Sequence, residues 1–236
     1  MINVALSGSL NDARQRLQDA LRAAGRPPDD ALMLAVSKTR PAADIRHAWQ
    51  LGQRHFGENY LQEALDKQTE LADLDDISWH FIGPLQSNKT RAVAEHFDWV
   101  HSVDRLKTAQ RLSAQRPADK PPLNICLQVN VSHEAAKSGV TPQALAELAQ
   151  AVSQLPNVTL RGLMAIPAPA DTPAAQRQPL AELRACLETL REALPEATLD
   201  TLSMGMSGDL EAAVQEGATL VRLGTAIFGA RPDTKN

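Results

Sequence analysis

Eight short apolar runs alternate with amphipathic segments from Ala31 to near the end of the chain, and this alternation restricts the fold more than any other feature. The runs are ALMLAVS (31–37), RHFG (54–57), ISWHFI (77–82), DWVHS (98–102), LNICLQVNV (123–131), VTLRGLMAI (158–166), TLDTLSM (198–204) and TLVRLG (219–224). Between them, segments such as PAADIRHAWQLG, TPQALAELAQAVSQL, QRQPLAELRACLETLREAL and GDLEAAVQEG carry apolar residues at helical spacing, and several end near Gly or Pro. With a leading helix at about 9–24, the count predicts an α/β chain folded over 1–236 as a single (β/α)8 TIM barrel with an extra N-terminal helix. An open doubly wound sheet is the competing architecture. That fold more often shows a G-x-G-x-x-G turn after its first strand, and none is present. The Pro-rich stretches 116–123 and 166–179 read as loops.

Composition excludes several classes of function. The formal net charge of −4 carries no clustered basic excess, so no nucleic-acid partner is expected. No apolar segment approaches the roughly 18 residues that span a bilayer, so no membrane partner is expected either. The N-terminus lacks the basic start and apolar core of a secretory signal. Cys126 and Cys186 form neither a C-x-x-C pair nor a metal-ligand spacing, which fits a reducing compartment. The expectation is a soluble cytoplasmic protein. The six histidines form no metal motif; His80 and His101 lie on or at the ends of strands, either lining the pocket or hydrogen-bonded in the core.

Barrel active sites lie where strands end and loops lead into the next helix. Alternation places Leu32, Leu34, Val36 and Lys38 on one face of the first strand, so Lys38 closes the inner stack at that end. An amine among apolar walls loses hydration, its pKa falls, and the neutral form can attack a carbonyl to form a Schiff base. The plain alternative is a lysine reaching solvent. After the seventh run, Ser207–Gly208–Asp209 opens a helix, either as a phosphate-binding turn or as an ordinary cap. In the eighth run Arg222 interrupts an apolar strand and needs a partner or ligand, and Gly224 and Thr225 follow it. Barrels frequently build a phosphate site from these last two loops. An aldehyde-capturing lysine facing a phosphate cup points to pyridoxal 5′-phosphate (PLP), with Arg222 the candidate partner of the pyridine nitrogen. Arginine donates but accepts no proton, so it would leave that nitrogen unprotonated and the ring a weaker electron sink. Glu58, at a strand end, is a candidate acid or base, or a cap for the helix beginning near Tyr60.

The motifs AVSKTRP (35–41), FGENYLQE (56–63), WHFIGPLQSNK (79–89), HSVD (101–104), VNVSHEAAKSGV (129–140), GLMAI (162–166) and LSMGMSGDLEAAVQEGATLVRLGTAIFG (202–229) together resemble the PLP homeostasis proteins, the YggS/PROSC family. The resemblance implies a barrel similar to the N-terminal domain of alanine racemase. It implies a PLP Schiff base on Lys38, phosphate-binding positions at Ser207, Gly224 and Thr225, Arg222 at the pyridine nitrogen, and Asn59 near the ring. Lys137 matches a family pattern in the loop after the fifth strand and is an accessory candidate, a second amine on the path of PLP. Arg40 stands where some relatives have a second lysine.

Members are understood to bind, buffer and deliver PLP, with apo-enzymes as possible recipients and no established turnover. Two alternatives stay open: a PLP-dependent racemase, and a cofactor-free Schiff-base aldolase with a sugar phosphate in the cup. A two-base racemase needs a second acid/base, supplied in similar racemases by another domain of the partner subunit. Seven residues follow Gly229 here, so a non-catalytic monomer is expected.

Overall fold

Every one of the eight apolar runs overlaps a strand, with the second and fourth strands each running one residue further, and the strands close on themselves. The computed structural model describes residues 4–230. Strands β1 (Leu32–Val36), β2 (His55–Glu58), β3 (Ser78–Phe81), β4 (Trp99–Val103), β5 (Leu123–Gln128), β6 (Val158–Met164), β7 (Thr201–Ser203) and β8 (Leu220–Leu223) form a closed barrel in chain order. All neighbours are parallel, and β8 returns to pair with β1 through Leu34 opposite Arg222. The helices among the described residues are α1 (Val4–Ala23), α2 (Ala42–Gln50), α3 (Leu61–Glu70), α4 (Thr90–His96), α5 (Leu106–Gln115), α6 (Pro142–Ser153), α7 (Pro173–Ala193), α8 (Leu210–Gln215) and α9 (Thr225–Phe228).

Two helix starts differ from the sequence reading. Helix α1 begins at Val4 rather than near residue 9, because Leu6 and Leu10 extend the buried stripe of Ala13, Leu17, Ala20 and Leu21 by a further turn. Helix α7 begins at Pro173, inside the stretch read as a loop. Thr172 accepts a hydrogen bond from the Ala175 amide, and Pro173 occupies the first turn, where its missing N–H costs nothing. The segment Ser87–Lys89 is a short 3₁₀ turn leading into α4.

The core has two parts. Outside the barrel, Phe56, Phe81, Val100, Ile125 and Leu163 of the strands share one buried cluster with Ile45, Ala64, Val93 and Leu112 of the helices. Each of these side chains except that of Ala64 contributes about 1.5–3 kcal/mol on burial. Inside it, Leu34, Ile82 and Leu220 form a separate small cluster on which Leu32 and Val36 pack. Gly57 makes room for this inner layer: a Cβ there would lie 2.9 Å from Leu34 Cδ2 and 3.1 Å from Ile82 Cδ1. The interior also holds a polar group, since His80, His101, Ser203 and Arg222 are all buried. The alternation that puts Leu32, Leu34 and Val36 inward carries Lys38 to the mouth of the barrel, at the carboxyl ends of the strands.

Candidate functional site

The residues after β1, β2, β7 and β8 converge on one cleft of about 270 Å³. Lys38, Asn59, Ser207, Arg222, Gly224 and Thr225 all line it, together with Arg40, Ile82, Ile166 and Met206. Lys137 lies elsewhere. It borders an adjoining cleft of about 330 Å³ with Arg105 and Asp104, which shares Asn59, Ile82 and Ile166 with the first. Its ammonium stands 3.7 Å from Glu134.

The backbone on both sides of Lys38 is held from below. Lys67, on the inward side of α3, donates to the Ser37 carbonyl (2.8 Å), Glu58 Oε1 (2.7 Å) and Glu63 Oε1 (2.6 Å). The Ser37 hydroxyl donates to Glu58 Oε1 at 2.9 Å, and the Thr39 amide donates to Glu63 Oε1 at 2.6 Å. Thr39 has φ 63°, a left-handed conformation that a β-branched residue adopts at a cost of order 1–3 kcal/mol. The Glu63 contact holds it there. Burial raises the Glu58 carboxyl above its ordinary pKa, against the charge of Lys67 and the two hydrogen bonds. Glu58 is therefore neither a cap nor a cleft-lining acid: α3 starts after Tyr60 without a side-chain cap, and Glu58 is fully buried beneath Ser37. Glu63 and Lys67 escaped the sequence reading; the available signal was a lysine four residues after a glutamate, on the helix stripe shared with Ala64.

Arg40 bridges the rim. Its guanidinium donates to the Gly229 and Ala230 carbonyls at 2.6 and 2.7 Å, tying the loop after β1 to the chain that leaves α9. The turn before α8 is anchored by Arg16 of α1, which donates to the Ser207 carbonyl at 2.8 Å and pairs with Glu211. Asp209 accepts from the Met206 amide at 2.7 Å, so its carboxylate braces the turn instead of capping the helix.

Arg222 is buried at the floor of the cleft. It donates to Ser203 Oγ (2.7 Å) and the Ala165 carbonyl (2.9 Å), and burial brings its pKa down to about 10, so it stays charged at neutral pH. His80 and His101 are fully buried below it and do not line the cleft. Cys126 is a buried thiol pushed up to about 12 and therefore inert. Among the described residues, no group of three or more His, Cys, Asp or Glu is placed to hold a metal ion, and no helix is long and apolar enough to cross a membrane.

The donor set fits a phosphorylated aldehyde with an aromatic nitrogen. An amine stands on one side, a hydroxyl-bearing glycine turn and the Gly224–Thr225 loop on another, and a charged donor forms the floor. Asn59 Oδ1 is buried with no hydrogen-bond partner among the described residues, a polar atom left for a ligand to satisfy.

Known proteins share the sequence and the fold of this chain. The family profile described as "Alanine racemase, N-terminal domain" matches residues 9–232. The pyridoxal phosphate homeostasis protein of Pseudomonas aeruginosa is 65% identical over 216 residues, covering 92% of this chain and 91% of its own. The protein of the same name from Escherichia coli K12 is 50% identical over 232 residues, covering 98% of each. The structure of PipY from Synechococcus elongatus PCC7942 with PLP bound superposes with a TM-score of 0.80 at 43% identity, covering 90% of this chain and 100% of that one. Alanine racemase from Corynebacterium glutamicum shares the fold, with a TM-score of 0.71 at 18% identity, covering 98% of this chain and 63% of that one. A barrel closed in chain order, with a lysine at the end of β1 and a buried arginine in β8, thus belongs to the family of the pyridoxal phosphate homeostasis proteins, built on the fold of the alanine racemase N-terminal domain.

Proposed function

We propose that this chain binds PLP in the cleft at Lys38 and acts in vitamin B6 and amino-acid homeostasis as a cytoplasmic carrier and regulator. The observation that carries the reading is the convergence of Lys38, Asn59, Ser207, Arg222, Gly224 and Thr225 on one cleft. When bound, PLP supplies an aldehyde that an amine can capture and a ring that withdraws electrons. The chain's own residues do the rest. Lys38 captures the aldehyde. Ser207, Gly224 and Thr225 receive the phosphate. Arg222, a donor with no acceptor site, hydrogen-bonds to the ring nitrogen only in its unprotonated form.

The composition of the cleft supports binding without turnover. Among the described residues that line it there is no carboxylate, imidazole, thiol or phenol, the groups that would serve as a second acid/base on a bound substrate. Exposure of the rim supports delivery to PLP-dependent apo-enzymes: Ile166 and Met206 border the cleft at 44% and 47% exposure, and Tyr60, next to Asn59, is 51% exposed. In this reading the protein works as a monomer, and Lys137 in the adjoining cleft is a second amine on the path of PLP.

The test is the visible absorbance of the purified protein, followed by borohydride reduction and peptide mapping. A yellow protein with a pyridoxyl group on Lys38 is the expected result. A protein that stays colourless and unmodified in excess PLP overturns the reading and brings the Schiff-base aldolase forward. Turnover assays with amino acids are expected to give no racemisation above background, and an apo-enzyme mixed with the loaded protein is expected to gain activity. Rapid racemisation would overturn the non-catalytic part, and an apo-enzyme left inactive would overturn delivery.

A further inference from the structure

A line of polar side chains, half-buried at His55 and buried from His80 onwards, climbs the inside of the barrel to the floor of the cleft. The strand register sets the staircase. His55 pairs with Ser78, so His80 stands one inward position higher; His80 pairs with Trp99, so His101 stands one higher again. Across the interior, Ser203 pairs with Leu220, so Arg222 stands one inward position above Ser203. The side chains meet at every step. His55 Nδ1 lies 3.0 Å from His80 Nε2, His80 Nδ1 lies 2.9 Å from His101 Nε2, and His101 Nδ1 lies 2.7 Å from Ser203 Oγ. Arg222 then donates to Ser203 Oγ at 2.7 Å. The His80 ring is stacked on Trp99 with centroids 5.3 Å apart, and Arg161 covers the Trp99 ring, so the middle of the line is fixed in orientation.

The direction of each hydrogen bond follows from counting protons. Arginine only donates, so Ser203 Oγ accepts from Arg222. Ser203 is fully buried, and its own proton needs an acceptor. His101 Nδ1 supplies it, which places the His101 proton on Nε2. That proton goes to His80 Nδ1, so His80 carries its proton on Nε2 and donates to His55 Nδ1. The reverse direction would leave the Ser203 hydroxyl proton with no acceptor in the core. In the forward direction every acceptor end faces Arg222, and aligned hydrogen bonds polarise one another.

We propose that His55, His80, His101 and Ser203 form a one-way hydrogen-bond chain that holds Arg222 as an oriented cation without a counter-ion. They are positioning residues for the ligand's ring nitrogen, and in that role the proposal rests on the PLP reading. A carboxylate in place of Ser203 would also solvate the guanidinium, but it would cancel the charge that faces the cleft. Neutral dipoles stabilise the cation and leave its charge for the ligand. Asp209 acts on Arg222 through its charge, with no hydrogen bond between them.

Two measurements test this. Long-range ¹⁵N–¹H spectra of the full-length, ligand-free protein report the tautomer of each ring. His80 and His101 are expected to be neutral with the proton on Nε2; a proton on Nδ1 of His101 overturns the chain. PLP titration then compares His101→Leu with His101→Gln. The leucine variant removes the acceptor for Ser203 and is expected to bind PLP about tenfold more weakly. The glutamine variant can accept from Ser203 and donate to His80, and is expected to stay within about threefold of the parent. Equal affinity of the folded leucine variant and the parent overturns the positioning role. If the leucine variant does not fold, the tautomers of the parent decide alone. If the parent takes up no PLP while its tautomers are as expected, the cofactor reading fails and the hydrogen-bond chain stands.

Discussion

Replacing Lys67 by methionine is expected to destabilise the protein by about 3–5 kcal/mol, the range for a buried ion pair that loses one partner. The side chain is 6% exposed and that of Glu58 is 0% exposed. Without the ammonium, Glu58 keeps only the Ser37 hydroxyl, and the Ser37 carbonyl loses a donor at 2.8 Å. Methionine fills much of the space, so the loss is electrostatic and not a cavity. In a chain of this size the melting temperature should fall by roughly 6–20 °C. The double variant Lys67→Met with Glu58→Gln removes both charges and should recover part of the loss, so a double-mutant cycle separates the ion pair from packing. A local effect accompanies the global one. Glu63 holds the Thr39 amide as well as Lys67, so freeing it relaxes the left-handed turn directly after Lys38. Hydrogen exchange at Thr39 should therefore rise more than at β5 in the same variant. A loss below 1 kcal/mol would show that Lys67 is not the counter-ion of Glu58.

The barrel was legible because its signal repeats. RHFG is a weak strand alone, yet the alternation required a strand there, and His55–Glu58 pairs with both β1 and β3. The cleft was legible because a barrel puts its chemistry at the carboxyl ends of strands, which isolated Lys38, Ser207, Arg222, Gly224 and Thr225 from residues far apart in sequence, while Asn59 came only from the family resemblance. The supporting contacts were not. Which side of α3 faces the barrel decides whether Lys67 meets Glu58 or water, and helix rotation is set by tertiary packing. The histidine line depends on the stagger between neighbouring strands, which no single strand encodes; each of His55, His80 and His101 alone reads as an ordinary core histidine. The loop reading of 166–179 failed at its end because proline in a first helical turn resembles proline in a loop until the cap at Thr172 is seen. Glu58 misled because a carboxylate at a strand end suits catalysis, and only the Lys67 ammonium below Ser37 explains its burial.

Acid should unfold the protein in a range set by its buried histidines. His101 is held neutral, with its pKa pushed down to about 3 by burial and by the charge of Arg222; His80 is pushed well below 6.5 by burial and by its two histidine neighbours. In the unfolded chain both rings titrate near 6.5. Below that value the unfolded state binds protons that the folded state refuses, so the stability these groups contribute is present above about pH 6.5 and is lost as the pH falls towards 3. Each ring removes about 1.4 kcal/mol per pH unit once well below its unfolded pKa, and the pair together removes about 3 kcal/mol between roughly pH 6.5 and pH 5. Carboxylates held low by ion pairs, such as Asp200 beside Arg161, lose their contribution only near and below about pH 4, so the two windows separate. Urea melts at several pH values across this range check the slope. The His101→Gln variant has one titrating ring fewer and should show a shallower slope. Unchanged stability between roughly pH 6.5 and pH 5 would mean that both rings take up protons in the folded protein. A protonated His101 next to the Arg222–Ser203 hydrogen bond would place a second positive charge beneath the cleft, and the neutral line through the barrel would not exist.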